Sequence, residues 1–351
     1  MNNEATRRLV LLDGLRGIAA LGVMCFHADF ASIGPVFTRG YLYVDLFFLL
    51  SGFVITLAFE PRFGRDLAPL AFLRRRMRRF LPMLAAGAAV GFVDFLQHGG
   101  TTVAGLSAIA MSLAMVPVPL LAAPFPLNSP QWSLLLELVG NGIHARWLHR
   151  MTQRRLLTLA FACAAGLAVV AFRKGNIDIG VDLDEFPAAL LRLGWSYTLG
   201  VVLARHWQKR STGAAHRRID WRLALVGPVV AVTAFAFLPV PHWIGDLLVV
   251  TLAFPPLFWI AACAVPPAWA TRPLAALGAI SFPLYAIHYP LLRVADSLGG
   301  DTGRALALPI AIALAAALAC AASAAAALRR QSQAPTRAAL GGALAGAPAE
   351  A

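Results

Sequence analysis

The feature that most restricts how this chain can fold is a series of apolar runs, each about 17–25 residues long, separated by short charged or Pro/Gly-bearing segments. In hydrocarbon every backbone N–H and C=O must find its partner within the chain, so runs of this length become spanning α-helices. A membrane β-barrel is excluded, because it is built from shorter segments of strict apolar/polar alternation. Hydrophobic residues make up 59% of the 351 and charged ones only 13%, too apolar for a soluble domain of this size. The fold class is therefore all-α, a polytopic membrane bundle of about ten transmembrane helices. The spans are predicted at 12–32, 41–59, 80–96, 131–147, 156–172, 187–204, 223–238, 244–265, 275–294 and 305–328.

One further apolar run, 103–116, ends at Pro117 and Pro119 after about 14 residues, a length suited to a re-entrant or interfacial segment. The distribution of arginine decides whether it crosses. If it does not, Arg7 and Arg8, the arginines of 62–79, 146–155 and 205–222, Arg272, Arg329 and Arg330 all share one side, and the four-acid loop 178–185 lies on the other. Both termini are then cytoplasmic, in the inner (cytoplasmic) membrane of the cell. The first run resembles a signal peptide, but Arg16 and the lack of an A-x-A site mark a retained anchor. Residues 1–330 form the integral-membrane domain, and the Ala/Gly/Pro-rich 331–351 reads as a disordered cytoplasmic tail.

Topology also accounts for the net charge of +13, so nucleic acid is not an expected partner; the lipid bilayer is. Cys25, Cys163, Cys263 and Cys320 lie within apolar runs without a CxxC pair, and no histidine stands at metal-ligand spacing. Neither a disulfide, a metal nor a tightly bound cofactor is expected.

Arg16 and His27 sit in the first span, eleven positions apart. At about 1.5 Å and 100° per residue they share a helix face and stand roughly 16 Å apart along the axis. Ionisable groups in a span face a bundle interior or a wet cavity and mark function by default. Asp45 lies at a depth similar to His27, and Ser133, Glu137, Asn141 and His144 form one polar stripe on the fourth predicted span. Arg192 and Ser196 lie on the sixth, and Ser281, Tyr285 and His288 share a face of the ninth. A histidine beside a carboxylate can serve as a general base, for instance to activate a hydroxyl for acyl transfer. Asp45 and Glu137 fit that use, or that of counter-ion to Arg16 or Arg192. The arginines of 74–79, at the opposite mouth, suit a multiply phosphorylated ligand. A donor with a phosphate-rich head and a thin arm, such as acyl-coenzyme A, has the matching shape.

The strings LDGLRGIAALGVMCFH, GYLYVDLFFLLSGFVI, FLRRRMRRFLP, NSPQWSLLLEL and LGAISFPLYAIHYPLL, in this order, resemble the acyltransferase 3 family of integral-membrane acyltransferases. The resemblance implies transfer of an acetyl or other short acyl group from acyl-CoA, as co-substrate, to a hydroxyl of a cell-surface carbohydrate such as an exopolysaccharide or O-antigen. It makes His27 the catalytic base, places Arg16 in the family's Arg/Lys-to-His spacing, and assigns Arg76 and Arg79 to acyl-CoA handling. It also covers Val44, Asp45, Phe47, Phe48, Ser51, Gly52 and Phe53, with Tyr43 in place of the family's glycine, and Trp132, Ser133 and Glu137. After Glu137 the family's polar-aromatic continuation is replaced by Leu138, Val139 and Gly140. The expected site is thus His27, Asp45 and Glu137 as catalytic groups, Arg16, Arg76 and Arg79 for the donor, and Trp132, Ser133, Asn141, Arg192, Tyr285 and His288 for substrate. The competing class is a proton-coupled transporter of a small acid or acylated sugar, with His27 and Asp45 as relay, although the two halves show no inverted repeat.

Overall fold

The structure, a computed structural model, describes residues 3–29, 35–118, 124–210 and 220–345, with side chains throughout except in 3–9 and 329–345. The side chains of Arg7, Arg8, Arg329, Arg330 and the 331–351 tail, and residues 211–219 of the basic 205–222 segment, lie outside the described residues.

The described chain is all-helical: α1 Asn3–Ala28, α2 Tyr43–Phe59, α3 Pro69–Gln97, α4 Thr102–Ala114, α5 Gln131–Arg146, α6 Gln153–Lys174, α7 Phe186–Arg210, α8 Arg222–Phe237, α9 His242–Leu248, α10 Phe254–Cys263 and α11 Ala268–Ala345. Seven stretches among the described residues are long and apolar enough to cross a membrane, which makes this a multi-pass membrane protein. The difference from the predicted ten is physical. α5 and α8 are 16 residues each, short of the roughly 20 a full crossing takes. The predicted 275–294 and 305–328 are two helical segments within α11, separated where Gly299 and Gly300 leave helical geometry, Gly300 at φ +54°, and together they make up the one apolar stretch 268–328. α4, with 13 residues, reaches only about 20 Å and closes on Met115 in the left-handed region.

α3 begins at Pro69, well before the predicted 80. Charge concealed those turns from a hydropathy reading. Phe72, Arg76 and Phe80 recur every four residues as a buried stripe, and Arg74, Arg75 and Arg78 are exposed.

Contact between helices relies on small residues, as expected where burial from water drives nothing. α2 and α7 meet backbone to backbone: a Cβ on Gly52 would lie 2.1 Å from Tyr197 O, and one on Gly200 2.2 Å from Leu49 O. α11 packs along α1 and α3, and α6 along α7. Between α9 and α10 the chain winds as a π-helical turn, Val249–Ala253. Trp195 Nε1 of α7 donates to Val250 O in that turn at 3.1 Å, occupying a carbonyl that the wider winding leaves available.

Candidate active site

α1, α2, α3, α5 and α11 enclose a cavity of about 290 Å³. Its charged residues are Asp13 and Arg16 of α1, Arg76 and Arg79 of α3, and Glu137 of α5; Phe47, Phe48, Phe80 and Phe282 are among its apolar walls. Arg16 is clamped onto α11: Nε donates to Ser281 Oγ and Nη2 to Gly278 O, both at 2.8 Å, and Nη2 lies 3.3 Å from Asp13 Oδ1. Gly278 permits this, since a Cβ there would meet the Asp13 Cβ at 2.4 Å.

The two arginines expected to act together separate. Arg76 is buried; its Nη2 donates to Glu137 Oε1 at 2.6 Å and its guanidinium lies 5.1 Å from the Phe80 ring centroid. Arg79 lines the cavity from an exposed position and forms no ion pair among the described residues. Of the three cavity arginines, Arg79 is thus the one without a close counter-ion among the described residues.

At the opposite end of α1, His27 meets His288 of α11. His288 Nε2 lies 3.0 Å from His27 Nδ1, which is also 3.0 Å from Val23 O, while His288 Nδ1 lies 3.1 Å from Leu284 O and 3.0 Å from Tyr285 O. Phe26 and Tyr289 flank the His27 ring with centroids at 5.0 and 5.2 Å. Neither histidine lines the cavity. Tyr285 does, and its ring centroid is 5.6 Å from that of His288 and 5.3 Å from that of Phe47. The cavity therefore ends one aromatic ring short of the histidine pair.

Neither expected carboxylate touches His27. Asp45 points from α2 to α7, where Arg192 Nε donates to Oδ2 at 2.7 Å and Ser196 Oγ to Oδ1 at 2.9 Å; both ion-pair partners are at most 1% exposed. Arg192 also donates to Tyr41 O and Ile179 O. Glu137 is held by Arg76 and by Ser51 Oγ at 2.9 Å. Asp45, bonded on both oxygens, serves the bundle first, since a buried charge requires a partner and satisfied hydrogen bonds, whereas Glu137 accepts both bonds on Oε1 and lines the cavity.

Among the residues expected at the substrate, Ser133 and Tyr285 line the cavity, their hydroxyls 2.6 Å apart. Trp132 is buried beneath Gly180, with the Arg192 guanidinium 5.8 Å from its ring, so it is no interfacial anchor. Asn141 is fully buried and accepts from Tyr197 OH at 3.0 Å; Tyr197 OH is 3.2 Å from His144 Nδ1, and His144 Nε2 is 3.3 Å from Glu60 Oε2. The polar stripe of α5 thus faces inward as expected, but below Glu137 it ties helices together. Asp13 was missed by sequence reasoning; its signal was a carboxylate three residues before Arg16 on the same face.

A multi-pass bundle with a histidine pair above an arginine-lined cavity is suited to handling an anionic ligand within the membrane, and sequence comparison supplies the chemistry. The profile of the acyltransferase domain family Acyl_transf_3 matches residues 9–328. The chain belongs to this acyltransferase 3 family and is a membrane acyltransferase. It is 29% identical to acyltransferase MdmB of Streptomyces mycarofaciens, over 85% of this chain and 83% of that protein. Protein 2 in the picA locus of Rhizobium radiobacter is 35% identical over 49% of this chain and 98% of its own length. O-acetyltransferase OatA of Staphylococcus aureus is 25% identical over 83% of this chain but only 52% of OatA, so the chain spans about half of that relative. No solved structure matches.

Proposed function

We propose that the protein takes an acetyl or other short acyl group from acyl-coenzyme A, acetyl-CoA foremost, at the cytoplasmic face of the inner membrane and transfers it to a hydroxyl of a cell-surface carbohydrate. The observation that carries this reading is the cavity: its cations Arg16, Arg76 and Arg79 lie on the side of the dense arginines, and Tyr285 at its other end is in ring contact with His288, the neighbour of His27. Guanidinium groups at a mouth suit phosphates, and the Phe47, Phe48, Phe80 and Phe282 walls suit the less polar arm. The name of OatA supports acetyl as the group moved. Ten crossings with both termini cytoplasmic are supported if α5 and α8 count as short spans and α11 is divided at Gly299 and Gly300.

In this reading Arg79 and Arg16 receive the donor's phosphates and the start of its arm, and Ser133 and Tyr285 meet its far end. His27, the catalytic base, removes the acceptor's hydroxyl proton as the oxygen attacks the thioester carbonyl. The C–S bond breaks, and the departing thiolate recovers the proton from His27, so the products are the ester and the free thiol of CoA. Asp45 and Glu137 act through the architecture, holding α2 to α7 and Arg76 in the cavity wall.

The test is incorporation of radiolabelled acetate into surface glycans of cells deleted for the protein and complemented with wild type or His27→Ala at matched membrane levels. Labelling restored by wild type alone is expected; equal labelling by both contradicts His27 as base, and none with either contradicts acetyl transfer to surface glycan.

A further inference from the structure

We infer that His288 is the positioning residue that fixes the tautomer of His27, so that His27 Nε2 is the atom that accepts the hydroxyl proton. This rests on the acyl-transfer reading above only for its consequence in catalysis; the tautomer itself follows from hydrogen-bond geometry.

A neutral imidazole has one N–H and one lone pair, and the partners around each nitrogen show which is which. His288 Nδ1 faces two backbone carbonyls, Leu284 O at 3.1 Å and Tyr285 O at 3.0 Å. Carbonyl oxygens only accept, so Nδ1 carries the proton and His288 Nε2 the lone pair. That lone pair faces His27 Nδ1 at 3.0 Å, and the same Nδ1 faces Val23 O at 3.0 Å. With acceptors on both sides, His27 Nδ1 must be the N–H. The one remaining lone pair, on His27 Nε2, has no protein hydrogen-bond partner among the described residues.

The helix geometry holds this order in place. The Nδ1 bonds run back one turn along their own helices, from His27 to Val23 and from His288 to Leu284 and Tyr285, so each ring is anchored where it emerges. His288 is fully buried and every residue from 283 to 288 is buried with it, which leaves its ring little room to turn. In a base oriented by a carboxylate, the carboxylate sets the tautomer and neutralises the imidazolium. Here the carboxylates are engaged with Arg192 and Arg76, and a neutral histidine performs the first task without the second. The imidazolium formed on His27 is then short-lived, which favours immediate return of its proton to the departing sulfur.

Two variants separate positioning from packing. Glutamine at 288 offers an amide oxygen near the place of Nε2 and can accept from His27 Nδ1–H; leucine fills the volume but accepts nothing. In membrane vesicles carrying the cell's own glycan and titrated with labelled acetyl-CoA, His288→Leu is expected to lose about 100-fold in kcat with KM for acetyl-CoA moving by less than about twofold, the mark of an interaction used in the transition state. His288→Gln is expected to keep at least about a tenth of wild-type kcat. Equal activity of the two variants, high or low, overturns the proposal. Nitrogen NMR of histidine-labelled protein in bilayers reads the tautomer without any acceptor, with the His27 resonances identified by their loss in His27→Ala. Nδ1 protonated and Nε2 bare in wild type and His288→Gln is the expected spectrum, and a wild-type His27 protonated on Nε2 overturns the proposal whatever the activity. The expected spectrum in a protein that transfers no acetyl group would instead refute the acetyl-transfer reading and leave His288's positioning of the ring intact.

Discussion

Replacing Asp45 by asparagine tests whether this carboxylate belongs to the reaction or to the fold. Asparagine keeps the size of the side chain and can still accept from Ser196, but it leaves the Arg192 guanidinium, fully buried, without its ion-pair partner. Removing one partner of a buried ion pair costs about 3–5 kcal/mol, because the other charge remains in a poor dielectric. Net stabilities are about 5–15 kcal/mol, so this is a large part of the whole. Arg192 keeps its bonds to Tyr41 O and Ile179 O, which hold the guanidinium in place and prevent it from escaping to water. Asp45→Asn should therefore reach the membrane at reduced levels and unfold in detergent several degrees below wild type. The activity of the protein that does fold should fall by much less than that of His27→Ala. Arg192→Met should destabilise in the same direction, and the double variant Asp45→Leu/Arg192→Met should recover part of the loss, since no uncompensated charge remains. Wild-type melting of Asp45→Asn combined with transfer as low as in His27→Ala would refute this reasoning and return Asp45 to the catalytic groups.

Four further outcomes follow from the structure. Arg79→Ala should raise KM for acetyl-CoA by about tenfold or more without lowering the melting point, a charge-assisted hydrogen bond being worth roughly 1.5–3 kcal/mol; Arg76→Ala should lower the melting point, because Glu137 loses its partner. Gly52→Ala should destabilise by about 1–3 kcal/mol or more, seen as lost membrane protein, because its Cβ would stand 2.1 Å from Tyr197 O and two helix backbones would have to part. Asp178 lies in the loop between α6 and α7, where burial raises its carboxyl above the ordinary 3.8, opposed by Arg192 and Lys174 and reinforced by Glu185. Its ionised form therefore costs stability at neutral pH, a cost that shrinks as pH falls through the raised value and vanishes below the ordinary one. Asp178→Asn should accordingly raise the melting point at pH 7, with the gain disappearing in acid.

Much of this was legible in the sequence because hydrocarbon leaves the backbone so little choice. Apolar runs became helices, and Arg16 and His27 landed on a continuous α1 that lines the cavity at one residue and meets α11 at the other. The stripe Ser133, Glu137, Asn141 and His144 came out facing inward, since four polar side chains on one face of an apolar helix have nowhere else to go. What failed was azimuth. Depth put Asp45 level with His27, but depth says nothing of rotation about the helix axis, and Asp45 faces α7 instead. The partner of His27 comes from 261 residues away, a pairing set by how α1 and α11 cross and by no local pattern. The early start of α3 was hidden for another reason: arginines at a membrane surface look like a loop to a hydropathy scale, although every fourth position was already helical in phase.

If one protein joins a donor on the cytoplasmic side to an acceptor beyond the membrane through His27, the face to which acetyl-CoA is supplied decides whether sealed vesicles of known orientation acetylate their glycan. Labelled acetyl-CoA, which does not cross a bilayer, is supplied to inside-out and to right-side-out vesicles bearing wild type or His27→Ala, and acetylated glycan is counted. Label appearing only in inside-out vesicles with wild type is the predicted result. Equal labelling from the right-side-out face, or undiminished labelling with His27→Ala, would contradict it.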